Sequence, residues 1–234
     1  SGQENLQMRF GSEKYAKFAY SARYGFSVES DERAFASGAF DSILAFSDDG
    51  LHYRVRETNE EAKLAGDTLY AKWSPYPDVK VETWLVPGAP WHIRVHKIST
   101  PRPLQTAEGG FAIERRDFEA DTLVSEEGSS HVVGAKDFSG ILDLGSSVPR
   151  QGVAQKAPPN TNLIVAKTLI PQLRTTIPAG ETTLVCAVLA ENDPATVSGP
   201  WTKPPKKPDI DALRHLIETK GVTVSAIEAP GRMA

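Results

Sequence analysis

A single cysteine, Cys186, is all this chain of 234 residues contains. That excludes an intrachain disulfide framework and any zinc site built from several thiolates. There are two methionines and neither stands first, so Ser1 reads as an internal starting point. The opening residues lack the basic-then-apolar order of a secretory leader, and no apolar run approaches the roughly 20 residues of a membrane span. Basic residues are not in excess: 26 Lys and Arg stand against 30 Asp and Glu, a net charge of −4. That balance gives nucleic acid or an anionic membrane surface no reason to bind. Missing too are G-x-S-x-G, a Walker-type loop and G-x-G-x-x-G, which removes the common hydrolase, nucleotidase and dinucleotide readings. No repeat of 20 to 50 residues argues for a propeller or solenoid. Asp117, Glu119 and Asp121 open like a calcium loop, but Thr122 and Gly128 occupy the positions that need Gly and a bidentate Glu. No cofactor and no metal is implied, and the cytoplasm is the favoured compartment.

What remains is a chain of strands. Val79 to Val86 and Trp91 to Ile98 alternate on either side of a Pro-Gly turn and read as a β-hairpin. Its second strand sends His92, Arg94 and His96 to one face and Trp91, Ile93 and Val95 to the other. The apolar face is expected to be buried. The polar face is expected to be open, either solvated or free to meet an anionic or polyhydroxylated ligand. His92 and His96 cannot share a zinc ion, because four residues of strand separate them by about 13 Å. His92 with Arg94, about 7 Å apart, is the better recognition pair.

Other strands follow from the same alternation. Phe18, Tyr20, Tyr24, Phe26 and Val28 share even parity, and Ala39 to Phe46 and Leu51 to Arg56 flank a Ser-Asp-Asp-Gly turn. Lys63 to Trp73 reads as one strand, and Leu104 to Glu114 as a strand interrupted at Gly109-Gly110. Glu114 to Gly128 reads as an acidic loop. Ser130 to Gly134, Ser139 to Leu144, Asn162 to Leu173 and Thr182 to Ala190 complete the series. Cys186 sits inside the last of these as an inert core thiol. Residues 198–208 form a Pro- and Lys-rich connector. A helix follows from Asp209 to Lys220, with Ile210, Leu213, Leu216 and Ile217 as its apolar stripe, and Val222 to Ile227 returns as an edge strand.

About eleven strands, one helix and no βαβ alternation predict an all-β fold, a two-sheet antiparallel sandwich with a short C-terminal helix. The expected organisation is a sandwich over residues 1–197, the connector over 198–208, and the helix with its edge strand over 209–234, packed on the sandwich. Tyr70, Lys72, Glu82 and Trp84 fall on neighbouring strands. If they flank His92 and Arg94, they make an aromatic and polar surface suited to sugars. Against that stands the reading of Trp73, Trp84 and Trp91 as core. Tyr15, Tyr20 and Tyr24 lie near Lys14, Lys17 and Arg23, where cations favour proton transfer by a phenol, although tyrosine is also a routine strand residue.

Several longer runs carry a family resemblance. They are Lys14-Tyr15, Lys17 to Ser21, Gly25 to Val28, Asp67 to Tyr70, Trp84 to Gly88 and Trp91 to His96. Together they resemble the C-terminal part of the family called domain of unknown function 2264, over nearly the whole chain. The resemblance implies a two-part protein, an α/α toroid followed by a β-sandwich, similar to heparinase-type polysaccharide lyases and glucuronidase-like glycoside hydrolases. It implies a role on uronate-containing glycans, with Tyr and His moving protons and an Arg or Asn neutralising the carboxylate. Tyr20, Tyr24, His92, Arg94 and His96 are the matching residue types, joined by Tyr70 and Trp84 as candidate substrate-binding residues. The expected partners are an acidic oligo- or polysaccharide and an N-terminal α/α toroid domain, with this chain as the β half of the larger protein. The alternative is a stand-alone carbohydrate-binding or assembly module without catalysis.

Overall fold

The computed structural model describes residues 44–50, 53, 58–86, 91–110, 113–115, 122–134, 137–157, 167–191, 206–220 and 222–223. Two sheets stack face to face, and every strand pairing in them is antiparallel. The larger has nine strands in the order β14 (Val222–Thr223), β2 (Thr58–Ala65), β3 (Thr68–Ser74), β4 (Lys80–Val86), β5 (His92–Thr100), β13 (Gly180–Glu191), β10 (Phe138–Asp143), β9 (Ser129–Val133) and β8 (Thr122–Glu126). The smaller runs β1 (Leu44–Ser47), β6 (Leu104–Gly109), β12 (Lys167–Ile177) and β11 (Gln151–Ala157), with β7 (Ile113–Arg115) also on β12. The two-sheet sandwich expected from the alternation is what forms, and one helix among the described residues, α1 (Ile210–Lys220), accompanies it.

Register decides what each face does. Leu69, Ala71 and Trp73 of β3, Val81 and Leu85 of β4, Ile98 of β5 and Leu184 of β13 point toward the smaller sheet. There they meet Leu44, Phe46, Leu104 and Ile177 in one buried cluster. Each of the leucine, isoleucine, valine and phenylalanine side chains stabilises the fold by about 1.5–3 kcal/mol when fully withdrawn from water. On the opposite face of the large sheet, Tyr70, Trp84, Val95 and Val185 are covered by α1. The helix does this with the stripe its sequence announces: Ile217 is fully buried, and Ile210, Leu213 and Leu216 pack beside it. Asp209 caps the helix, its Oδ1 accepting from the backbone N–H groups of Asp211 and Ala212 at 3.0 and 3.1 Å.

Glycine shapes two places where the sheets must bend or touch. Gly109 pairs with Gln172 and Ile113 with Leu169, so the register on β12 shifts by one residue between Gly109 and Ile113. Gly110 there donates to the Pro171 carbonyl at 2.7 Å. The second place is the seam that joins the sheets, where the Glu127–Gln151 bridge and Ser130 Oγ, donating to the Val153 carbonyl at 2.9 Å, bring β8 and β9 against β11. A Cβ on Gly152 would lie 1.8 Å from the Ser129 carbonyl oxygen.

Three expectations need correction. Lys63 to Trp73 is not one strand but the hairpin β2–β3, reversed at Gly66-Asp67, where Gly66 has φ +62°. A two-residue Gly-Asp connection is itself a hairpin signal, and the apolar residues on both sides mask it. The acidic stretch after Glu114 contains β8, whose side chains are largely exposed; an edge strand needs no apolar alternation. Gln151–Ala157 is a strand where none was expected. Tyr20, Tyr24, the strand around them, Asp117 to Asp121 and most of the connector lie outside the described residues.

Candidate functional site

The candidate residues split across the two faces of one sheet. The smaller sheet packs on one face of the large sheet and α1 on the other, so both faces of β5 are covered. The face expected to be open is turned inward instead: His92 is 6% exposed, and Arg94 and His96 are 0% exposed. That is a correction to the placement of all three. The physical reason is a buried acid on the opposing sheet. Glu108 of β6, also 0% exposed, accepts from Arg150 Nη2 at 2.6 Å, from His96 Nε2 at 3.0 Å and from Cys186 Sγ at 3.1 Å, with Arg94 Nη1 at 3.7 Å. Arg94 Nη1 also donates to the Gly109 carbonyl at 2.6 Å.

The chain of hydrogen bonds continues into the large sheet. Trp73 Nε1 donates to Thr83 Oγ1 at 2.8 Å, and Thr83 Oγ1 lies 2.8 Å from His96 Nδ1. Every member is satisfied when Thr83 donates to Nδ1 and the imidazole carries its proton on Nε2, toward Glu108. Burial would raise the Glu108 pKa, but His96, Arg150 and Arg94 outweigh it and hold the carboxyl well below its usual range. Burial pushes the Cys186 thiol well up, and the Glu108 charge adds to that, in keeping with an inert thiol. Burial, with the Arg94 charge, pushes His92 well below its ordinary value, so it stays neutral. This centre ties the two sheets together rather than opening to solvent. Sequence reasoning missed Glu108, although Leu104, Thr106 and Glu108 share a strand face. An acid on an apolar face opposite two basic residues is the signal. Arg150, just before β11, gives no comparable cue.

The open site lies on the other side of the large sheet. Strand register sets Tyr70 opposite Trp84, and it aligns Glu61, Lys72, Glu82 and Lys97 across β2, β3, β4 and β5 as a row of alternating charge. Helix α1 closes one side with Arg214, Ile217 and Glu218. Together with Lys63, these walls enclose a groove of about 270 Å³. The floor is aromatic, with the Tyr70 and Trp84 rings 5.2 Å apart at 47°. Trp73, Trp84 and Trp91 are all buried, as a core reading expects. Trp84 Nε1 has no hydrogen-bond partner among the described residues.

Charges in the groove are already engaged with one another. Glu82 accepts from Tyr70 Oη and from Arg214 Nη2, each at 2.8 Å. Arg214 also lies over Trp84, its Cζ 5.7 Å from the ring centroid. On the far wall Glu61 pairs with Lys63, and with Lys72 at 3.4 Å. The hydrogen bond from Lys63 does most to lower the Glu61 pKa. Burial first, and then the bond to Glu82, raise the Tyr70 phenol well above its ordinary value, so it remains a hydrogen-bond donor. Tyr70 and Trp84 thus share a site with each other and with Lys72 and Glu82, but not with His92, Arg94 or His96. No group of three metal-ligating side chains occurs among the described residues.

Stacked antiparallel sheets with a polar groove under a capping helix define an all-β sandwich protein. Within that class, the chain belongs to the DUF2264 C-terminal domain family, whose profile matches residues 1–212. Solved structures with a similar shape include the heparan sulfate lyase HepC from Pedobacter heparinus, at 8% identity and a TM-score of 0.45, over 63% of this chain and 24% of that one. The heparinase III BT4657 gene product is similar at 9% identity and a TM-score of 0.47, over 64% and 24%. A further heparinase III is similar at 8% identity and a TM-score of 0.45, over 66% and 24%. This chain therefore spans about a quarter of the length of those proteins. No curated protein matches it.

Proposed function

We propose that this chain is the β-sandwich half of a carbohydrate-active protein acting on uronate-containing glycans, working beside an α/α toroid. The observation that carries the reading is the groove over β2, β3 and β4. Its three carboxylates can accept from sugar hydroxyls, and its three cations can donate to a sugar carboxylate. A volume of about 270 Å³ lies just under the range of about 300–1,000 Å³ typical of small-molecule sites. It suits a single sugar unit rather than a length of polymer. Family membership supports the reading through the toroid-plus-sandwich layout that the sequence resembles.

The test is a calorimetric titration of the chain with a glucuronate-containing tetrasaccharide and with its neutral glucose counterpart. The reading expects the uronate ligand to bind more tightly. Equal affinity, or no heat with either, would overturn it. The groove's fit to a single sugar unit also suits a second reading, a binding module without catalysis. Incubating the chain with the tetrasaccharide separates the two. Shortened products support an enzyme, and an intact ligand that nonetheless binds supports the module.

A further inference from the structure

We infer that Arg214 is the specificity-determining residue of the groove, taking the carboxylate of an acidic sugar by exchanging its contact with Glu82. The inference rests on the uronate reading and adds the residue that reads the charge. Arg214 commits one nitrogen, Nη2, to Glu82, and its side chain remains about one-third exposed (32%), so the rest of the planar fork can turn toward a ligand. A guanidinium meets a carboxylate through two parallel N–H bonds, a geometry its single bond to Glu82 leaves unused. Glu82 tolerates the exchange, because Tyr70 continues to donate to its other oxygen at 2.8 Å.

Position and charge single out Arg214 among the groove's cations. Lys63 and Lys72 both lean on Glu61 at the far wall, whereas Arg214 stands on the helix beside Trp84. Trp84 itself is 0% exposed, so the polar contacts to a ligand fall to the side chains above it, Arg214 first among them. Glu61, Glu82 and Glu218 balance Lys63, Lys72 and Arg214, three against three. Without Arg214 the count becomes three against two. The groove then turns net negative, which repels a uronate and leaves a neutral sugar indifferent.

The experiment titrates the full 234-residue chain, as wild type, Arg214→Gln and Arg214→Lys, with the glucuronate and glucose tetrasaccharides. Thermal melting of each variant checks its fold. Arg214→Gln is expected to lose about tenfold or more in uronate affinity, the usual worth of a charge-assisted contact. Its affinity for the glucose ligand should change less than twofold. Arg214→Lys, which keeps the charge and loses the fork, should fall between. Glu82→Gln provides a second approach should Arg214→Gln fold poorly: it releases Arg214 and should strengthen uronate binding, and weaker binding would count against the exchange. If Arg214→Gln keeps the wild-type preference for uronate, the inference fails and the uronate reading stands. If the wild type shows no preference, the uronate reading fails and the inference falls with it.

Discussion

Replacing Glu108 by Gln would test the interior of this sandwich most severely. The substitution keeps the shape and removes the charge, leaving Arg94 and Arg150, both 0% exposed, facing a neutral amide. Two effects compete. Losing hydrogen bonds to a like-shaped group costs about 1 kcal/mol, whereas removing one member of a buried ion pair costs about 3–5 kcal/mol. The second should dominate, because the Arg150 contact is short, at 2.6 Å, and water is excluded. Against a typical total of about 5–15 kcal/mol, that is a large share of the stability. In urea, with a slope of about 3 kcal/mol/M, the midpoint should fall by about 1–1.7 M with the slope unchanged. Glu181→Gln is the control. Its partner Lys97 lies 3.1 Å away, but Glu181 is 67% exposed, so the midpoint should scarcely move. Adding Arg150→Met to a Glu108→Leu background should recover part of the loss, since it removes one of the two orphaned charges. A Glu108→Gln midpoint within about 0.3 M of wild type would refute the claim that this centre locks the sheets.

Three further predictions follow from other parts of the fold. Gly152→Ala should lower the urea midpoint by at least as much as Glu108→Gln, because the new methyl would meet backbone at 1.8 Å from Ser129 and 2.5 Å from Glu126; a near-wild-type midpoint would mean the seam is not tight. Stability should fall on acidification in two stages. Below about pH 6.5 the unfolded chain takes up a proton at His92 that the native state refuses, and His131, also lowered by burial, adds the same sign. Below about pH 4.3 the contribution of Glu108 is lost as pH drops through its depressed native value. A midpoint that holds constant from pH 7 to pH 5 would contradict the first stage, and His92→Gln should flatten it in part. Cys186 should resist a thiol reagent in the native protein and react only as the protein unfolds, so rapid labelling of folded protein would show that the interior is open.

The central hairpin is legible from sequence because two alternating runs flank a Pro-Gly turn, whereas the register of β4 on β5, with Trp84 opposite Val95, comes from the structure. The helix is equally plain from its single apolar stripe, although Asp209, read as its first residue, is the cap. Alternation says which side chains share a face, and this it did for His92, Arg94 and His96. Whether that face meets water depends on what lies opposite, and Glu108 arrives from a strand of the other sheet. The groove was half legible. Tyr70, Lys72, Glu82 and Trp84 were grouped by strand proximity, but Arg214 comes from a helix 130 residues further along the chain than Trp84 (214 − 84), and no local pattern joins them. β8 and β11 escaped notice because edge positions relax the need for apolar alternation.

Amide chemical-shift mapping of the chain with the glucuronate tetrasaccharide tests the central claim most directly. The account predicts shifts concentrated on Lys63, Tyr70, Lys72, Glu82, Trp84 and the Arg214 turn of α1, with the strands β10 and β12 unmoved. Shifts centred elsewhere, or none at ligand concentrations well above those of the protein, would contradict it.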